Sequence, residues 1–163
     1  MSEDFNLQQC FFGEHLLKNY PEKPVAIVES EKSALIASVI IPDSVWIAAG
    51  QLNGLSIEKA KALKGRNVIL FPDLGGYEKW SDKASEIKQS VKCKIKVSTI
   101  LEDLATEVQR SEGLDIADYI LEELKAKTET VIIQSRFSTE LELMIERNNT
   151  LLVLINGLDL KEV

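Results

Sequence analysis

Short apolar segments alternate with longer, more polar segments through the first two thirds of the chain. Three of the apolar segments, residues 25–28, 45–49 and 67–71, are almost continuously apolar, which is typical of strands buried on both faces of a sheet. The apolar positions Ile95, Val97 and Ile100 predict a fourth strand. The pattern therefore predicts four strands joined by polar connections.

Helical signals occupy these connections and the rest of the chain. Ser30 and Ser56 each precede a helical segment and are suited to cap it. Trp80, Ala84 and Ile87 recur at the spacing of one helix face. Residues 131–133 fit either a short strand or the lead into a last helix. The predicted helices are 31–41, 57–63, 77–91, 101–110, 115–127, 138–148 and 151–158.

Alternating buried strands and helices predict an α/β fold. We expect a parallel four-stranded sheet with helices on both faces, plus a C-terminal helical extension. Functional groups of such sheets collect outside the carboxyl ends of the strands, so Glu29, Gly50 and Asp73 are expected to be neighbours. The predicted organisation is an N-terminal helical segment that packs on the domain (1–23), an α/β domain (24–127) and a C-terminal helical extension (128–163).

Composition excludes several classes of protein. Of 163 residues, 45% are apolar and 28% are charged, as in a folded globular protein, and the longest apolar runs are too short to cross a bilayer. One histidine, His15, and two cysteines, Cys10 and Cys93, are too few for a disulfide framework or a four-ligand structural zinc site. Because His15 lies in an apolar stretch that predicts a packing helix, we expect it to be structural and not part of a catalytic triad. We expect a cytoplasmic protein without a membrane span.

The charge is unevenly distributed along the chain. Nineteen basic and 26 acidic residues give a net charge of −7, but residues 56–96 hold 10 basic and 5 acidic residues, a net charge of +5. A basic segment in an acidic protein can face a phosphate backbone, or it can be the solvated surface of two helices. The charges alone do not choose between these interpretations.

Two acids stand where buried strands end. Glu29 follows the first strand, and Asp73 follows the third strand and a proline. Two facing carboxylates without histidine favour a hard cation with oxygen ligands, and Mg²⁺ fits this ligand set best. The alternative is that each acid caps the helix that follows it.

Four segments resemble the Toprim domain, which DnaG-type primases, topoisomerases and small nucleases share. These segments are VAIVESEKSALIA (25–37), WIAAGQLNGL (46–55), VILFPDLGGYEKW (68–80) and LDIADYIL (114–121). The resemblance covers about residues 24–121 in the family's order and spacing. More narrowly, the chain is similar to the Toprim-like domain of primase-like proteins carried on mobile elements.

The resemblance implies roles for individual residues. Glu29 matches the family glutamate, which implies proton transfer or metal-assisted phosphoryl chemistry, and Asp73 matches the first acid of an Asp-x-Asp motif, which implies catalysis and metal binding. The second acid of that motif falls on Gly75, so one ligand is missing and binding of Mg²⁺ or Mn²⁺ is expected to be weak or absent. Asp115 and Asp118 match the closing segment and are candidate metal ligands together with Glu29 and Asp73.

The predicted function is a nucleic-acid module of a primase-like replication or mobilisation protein, with Mg²⁺-dependent phosphodiester chemistry if it is active. The alternative is a catalytically degenerate binding or assembly module with an incomplete metal site. A flavodoxin-like or receiver-like domain fits less well, because the first strand is not followed by a glycine-rich phosphate loop.

DNA or RNA is the expected partner, other replication modules and a second copy of the chain are further possibilities, and no membrane partner is expected. The candidate nucleic-acid contacts are Lys32, Gln51, Asn53, Lys59, Lys61 and Lys64.

Overall fold

The first strand of the chain lies inside the sheet, between the second and the third. The structure is a computed structural model and describes residues 9–132. Within these residues four parallel strands form one sheet in the order β2-β1-β3-β4, which confirms the predicted α/β fold. The strands are β1 (Val25–Val28), β2 (Val45–Ala48), β3 (Asn67–Phe71) and β4 (Lys94–Val97).

The helices follow the predicted alternation with the strands. Short 3₁₀ helices cover Glu14–Lys18 and Lys61–Leu63. Ser30 and Ser56 cap their helices as predicted, since each side chain accepts a hydrogen bond from the backbone three residues on. The α-helices are α1 (Glu31–Ile40), α2 (Ile57–Ala60), α3 (Tyr77–Ser90), α4 (Ile100–Leu104), α5 (Glu107–Glu112) and α6 (Ile116–Ile132).

Helices cover both faces of the sheet, as the continuously apolar strands predicted. On one face Ile27 and Leu70 pack with residues of α2 and α3, and Trp80 is fully buried there. On the other face Ala26 and Val28 pack with side chains of α1, α4 and α6. Burial of each large apolar side chain contributes roughly 1.5–3 kcal/mol, so the two clusters hold the strand ends in fixed positions.

The N-terminal segment packs against the first of these faces. Phe11 and Leu17 are buried in it, and Phe12 forms an isolated antiparallel bridge with Ala48. The Arg66 guanidinium donates to the carbonyl oxygens of Leu17, Tyr20 and Lys23 at 2.7–2.9 Å and so fixes the end of this segment.

Three predictions differ from the structure in detail. Ile100 begins α4 instead of extending the fourth strand. The helix predicted over 101–110 is two helices, α4 and α5, because Thr106 and Gln109 form a capping box that starts a new helix. Val131 and Ile132 belong to α6 and not to a strand.

The chain divides into two compact units, Met1–Leu121 and Glu122–Val163. The described part of the second unit is residues 122–132. The helices predicted over 138–148 and 151–158 lie outside the described residues, as does most of the predicted extension over 128–163, so the domain boundaries stay a prediction. None of the helices within residues 9–132 has the length and apolar character needed to span a membrane.

Candidate functional site

The strand order reverses beside Glu29 and Asp73. From β1 the chain passes to β2 on one side of it and then returns across β1 to β3 on the other side. In open parallel sheets, ligands bind at such a reversal, outside the carboxyl ends of the two strands that flank it. Val28 and Phe71 are partners in the register, so Glu29 and Asp73 leave the sheet at nearly the same level.

Glu29 and Asp73 are in contact across this reversal. The backbone N–H of Asp73 donates to Glu29 Oε1 at 3.3 Å, and the backbone N–H of Gly50 donates to the Glu29 carbonyl oxygen at 2.8 Å. The three residues predicted to be neighbours therefore meet. Neither carboxylate caps a helix: Ser30 caps α1, and α3 has no side-chain cap at its N-terminus. The helix-cap alternative does not account for the two acids.

Gly76 permits this close approach. A Cβ atom at position 76 would lie 3.1 Å from Glu29 Oε1 and 3.0 Å from the Asp73 carbonyl oxygen, which is tighter than ordinary van der Waals contact. The Gly76 N–H donates to the same carbonyl at 2.8 Å and closes the turn after Asp73. The second glycine of the Leu-Gly-Gly sequence is therefore favoured by the limited space at this position and not by a left-handed backbone.

Asp73 carries the most perturbed carboxyl group of the site. Burial, followed by the nearby carboxylates of Glu29, Asp115 and Asp118, raises its pKa to about 7, and Lys32 acts in the opposite direction. Its Oδ1 atom is buried and has no hydrogen-bond partner among the described residues. A buried carboxylate oxygen without a partner is costly, and either a proton or a cation would relieve that cost.

Burial also raises the pKa of Glu29, and the Asp115 carboxylate adds to this effect. The hydrogen bond from Asp73 N–H and the positive charge of Lys79, in the first turn of α3, oppose it. Both carboxyl groups of the Glu29–Asp73 pair therefore have a raised pKa, and burial is the largest cause for each of them. Such pairs are common at sites of acid–base or cation chemistry.

Asp115 and Asp118 lie on the other side of this site and share one cation, Lys32. Lys32 Nζ lies 3.0 Å from Asp115 Oδ2 and 3.1 Å from Asp118 Oδ1. Ser33 Oγ donates to Asp115 Oδ2 at 2.7 Å, and the Asp118 N–H donates to Asp115 Oδ1 at 2.9 Å. Burial opposes ionisation of Asp115, but the bonds from Ser33, Asp118 N–H and Lys32 outweigh it and lower its pKa. Asp115 is thus a buried, ionised and fully partnered carboxylate.

The loop after β3 is fixed from the same side. The Leu74 N–H donates to the Leu114 carbonyl oxygen at 3.0 Å, and the Gly75 N–H donates to Glu102 Oε1 at 3.2 Å. Gly75, where the resemblance would place a second acid, is exposed and has φ +84°, a backbone conformation that favours glycine. A Cβ there would meet no atom within 4 Å, so the missing ligand leaves open space beside Asp73.

The residues predicted to contact nucleic acid are only partly at this site. Lys32 is there, but Asp115 and Asp118 engage its ammonium group. Gln51 and Asn53 are exposed on the loop after β2, next to Gly50. Lys59 Nζ donates to the Ala49 carbonyl at 3.1 Å and Lys61 pairs with Glu58, whereas Lys64 is exposed after the 3₁₀ turn. The last three residues belong to the connection between β2 and β3.

Three contributors were missed by the sequence reasoning. Ser33 lies in the predicted helix over 31–41, and its hydroxyl donates to Asp115 Oδ2 and therefore accepts the 2.7 Å bond from Ser30 Oγ. The sequence gives no sign that Gly76 lies against the Glu29 carboxylate or that the charge of Lys79 acts on it. The spacing Ser30-x-x-Ser33 was a visible signal, but the partner of Ser33 lies 82 positions away and no local pattern indicates it.

The donor set is compatible with one hard cation. Mg²⁺ is commonly held by one or two carboxylates and keeps several waters, which a Glu29–Asp73 pair can satisfy. Within residues 9–132, no three His, Cys, Asp or Glu side chains are arranged to hold a metal ion together. Asp115 and Asp118, which Lys32 neutralises, therefore serve as neighbours of the pair more readily than as additional ligands.

Comparison with known proteins places only the first part of the chain. The model of a domain of unknown function, DUF6371, matches residues 1–74, which is less than half of the chain and includes β1, β2, β3, Glu29 and Asp73. No curated protein and no solved structure shows significant similarity to the chain.

Proposed function

We propose that this chain is a Toprim-like nucleic-acid module of a primase-like replication or mobilisation protein, in which Glu29 and Asp73 hold one divalent cation. The observation that supports this most is the contact between Asp73 N–H and Glu29 Oε1, with Asp73 Oδ1 buried and unpartnered beside it. A cation would neutralise the pair and supply the missing partner of that oxygen.

Each group at this site has a separate proposed role. A bound divalent cation stabilises negative charge on phosphoryl oxygens. Glu29 is the group proposed to transfer the proton, and its carboxylate is ionised while it holds the cation. Lys32 and Ser33 keep Asp115 ionised and fixed, and the turn at Gly76 keeps Asp73 against Glu29.

A second candidate keeps the fold and the partner without the chemistry. Gly75 replaces an acid in the resembling motif, and Lys32 occupies Asp115 and Asp118. These two observations favour a catalytically degenerate binding or assembly module, because fewer anionic ligands remain for a cation.

The proposed partners and the proposed location of the protein are as follows. DNA or RNA is the partner, with other replication modules and self-association as additional partners. The location proposed is the cytoplasm, where two unpaired cysteines such as Cys10 and Cys93 stay reduced.

Nicking of supercoiled plasmid and template-directed primer synthesis, each with Mg²⁺ or Mn²⁺, test the proposal. We expect activity that chelation abolishes and that Glu29→Gln and Asp73→Asn each reduce by at least about 100-fold. Asp82→Asn, at an exposed carboxylate of α3, is the matched control and should keep full activity. Nucleic-acid binding without activity would support the degenerate module, and absence of both would overturn the proposal.

A further inference from the structure

A second charged region lies on β4 and on the adjoining side of α3. Residues 87–101 contain four lysines and no acid. We call Lys88, Lys92, Lys94 and Lys96 the lysine strip. All four are exposed, and their ammonium groups have no hydrogen-bond or ion-pair partner among the described residues. The strip is therefore a surface of uncompensated positive charge on a protein with a net charge of −7.

Most other cations near the site already have partners. Lys32 pairs with Asp115 and Asp118, and Lys59 donates to a backbone carbonyl. Lys61, Lys83 and Arg110 pair with Glu58, Glu86 and Glu102. A polyanion that bound these cations would first have to displace their present partners. The lysines of the strip have no partner among the described residues that would have to be displaced.

Two depressions flank the strip and share Lys88 and Lys96. The larger, of ≈ 520 Å³, extends over the start of β3 and β4 and includes Asn67 and Lys94. The smaller, of ≈ 200 Å³, lies between α3 and β4. Its wall holds three hydroxyl-bearing residues, Tyr77, Ser81 and Ser85.

The hydroxyl groups add hydrogen-bonding capacity to the positive charge. Ser81 Oγ is buried and has no partner within residues 9–132, although Ser85 Oγ donates to the Ser81 carbonyl at 3.1 Å. Lysine ammonium groups together with nearby hydroxyl groups are the chemistry that binds phosphate oxygens, and here the exposed Lys88 and Lys96 supply the accessible groups. The smaller depression thus has the size and the groups to accept one phosphate.

The position of the strip favours a long polyanion. Tyr77, at one end of the smaller depression, directly follows Gly76, which lies against the Glu29 carboxylate. The strip begins at the amino edge of the sheet, beside Asn67, and a chain of phosphates that ran from it through the smaller depression to Tyr77 would reach the carboxyl edge that holds the Glu29–Asp73 pair. This path favours a nucleic acid, because a phosphate backbone along it would reach the site proposed for phosphoryl chemistry.

We propose that the lysine strip, with the two depressions beside it, binds the phosphate backbone of a nucleic acid and directs it toward Glu29 and Asp73. This inference rests on the proposed function, because it assumes a nucleic-acid partner. It differs from the sequence expectation, which placed the contacts on Lys32, Gln51, Asn53, Lys59, Lys61 and Lys64.

The test is fluorescence anisotropy with a labelled single-stranded oligonucleotide across a series of salt concentrations. The variant K88Q/K96Q removes two charges of the strip. K18Q/K83Q removes two charges elsewhere and is the matched control, since Lys18 lies in the N-terminal 3₁₀ helix and Lys83 pairs with Glu86. We expect binding by K88Q/K96Q to weaken about tenfold and the salt slope to fall by about 1.4, with the control unchanged.

The outcomes separate the inference from the proposed function. Binding by the unaltered chain that K88Q/K96Q leaves unchanged would overturn the role of the strip and leave the nucleic-acid function intact. No binding of any oligonucleotide by the unaltered chain would overturn both. Binding to phosphatidylserine vesicles but not to oligonucleotides, with loss in K88Q/K96Q, would assign the strip to a lipid surface and overturn the inference.

Discussion

The carboxyl edge of the sheet and the lysine strip are two charged regions built in opposite ways. At the carboxyl edge the charges are partly buried and close together, so that the pKa of Asp73 is raised to about 7, whereas the bonds from Ser33, Asp118 N–H and Lys32 lower the pKa of Asp115. On the strip the lysines are exposed and unpaired. Substitutions at the first region should therefore alter stability and protonation, and those at the second should alter binding alone.

The largest expected effect on stability comes from closing the space at Gly76. Gly76→Ala would force a Cβ against Glu29 Oε1 and the Asp73 carbonyl, and we expect a loss of about 3 kcal/mol in the free energy of unfolding. Gly113→Ala is the control, because a Cβ there meets nothing and only its left-handed backbone, φ +68°, costs about 1 kcal/mol. Urea denaturation measures both, and equal losses would mean that Gly76 is not a packing constraint.

The next effect concerns the buried hydroxyl that orients Asp115. Ser33→Ala removes the 2.7 Å bond to Asp115 Oδ2 and should lower the free energy of unfolding by about 2 kcal/mol. Ser38→Ala, on the exposed side of the same helix, should change it by less than about 0.5 kcal/mol. A neutral Ser33→Ala would show that Lys32 alone is sufficient to hold the charge of Asp115.

A smaller effect is a dependence of stability on pH. The folded pKa of Asp73, about 7, lies above its ordinary value of 3.8, so between these values the folded state binds the proton more tightly than the unfolded state. The contribution of Asp73 is therefore favourable at low pH and is lost as the pH rises through 7. We expect the unaltered chain to gain about 1–2 kcal/mol relative to Asp73→Asn between pH 8 and pH 5, a value reduced for solvent screening. Identical pH profiles for the two proteins would contradict the shift.

The smallest expected change is in the stability of the strip variant. K88Q/K96Q should unfold within about 0.5 kcal/mol of the unaltered chain, because exposed unpaired lysines contribute little to folding. Thermal unfolding by circular dichroism measures this. A larger loss in the free energy of unfolding would show that Lys88 and Lys96 stabilise the fold. The contrast between the carboxyl edge of the sheet and the lysine strip would then not hold.

The strands and helix caps could be predicted from the sequence, because they depend on residues that are close together in the chain. Three of the four strands were recognisable from continuous apolar runs and the fourth from separate apolar positions, and Ser30 and Ser56 from their positions before helices. The meeting of Glu29 with Asp73 followed from a general rule of parallel sheets, without any contact being visible in the sequence.

What escaped prediction depends on distant partners or on competing local signals. The pairing of Lys32 with Asp115 joins residues 83 positions apart, and nothing near Lys32 distinguishes it from a solvated lysine. The division of the helix at Thr106 was missed although the Thr-x-x-Gln capping box was present, since the surrounding positions continue a helical pattern. The distinction between engaged and free lysines likewise required the fold.

Binding of Mn²⁺ measured by electron paramagnetic resonance tests the central claim most directly. The account predicts one weakly bound ion per chain in the unaltered protein, loss of that ion in Asp73→Asn and retention of it in Asp82→Asn. Absence of bound Mn²⁺ in the unaltered protein, or equal binding by Asp73→Asn, would contradict the claim that Glu29 and Asp73 form a cation site.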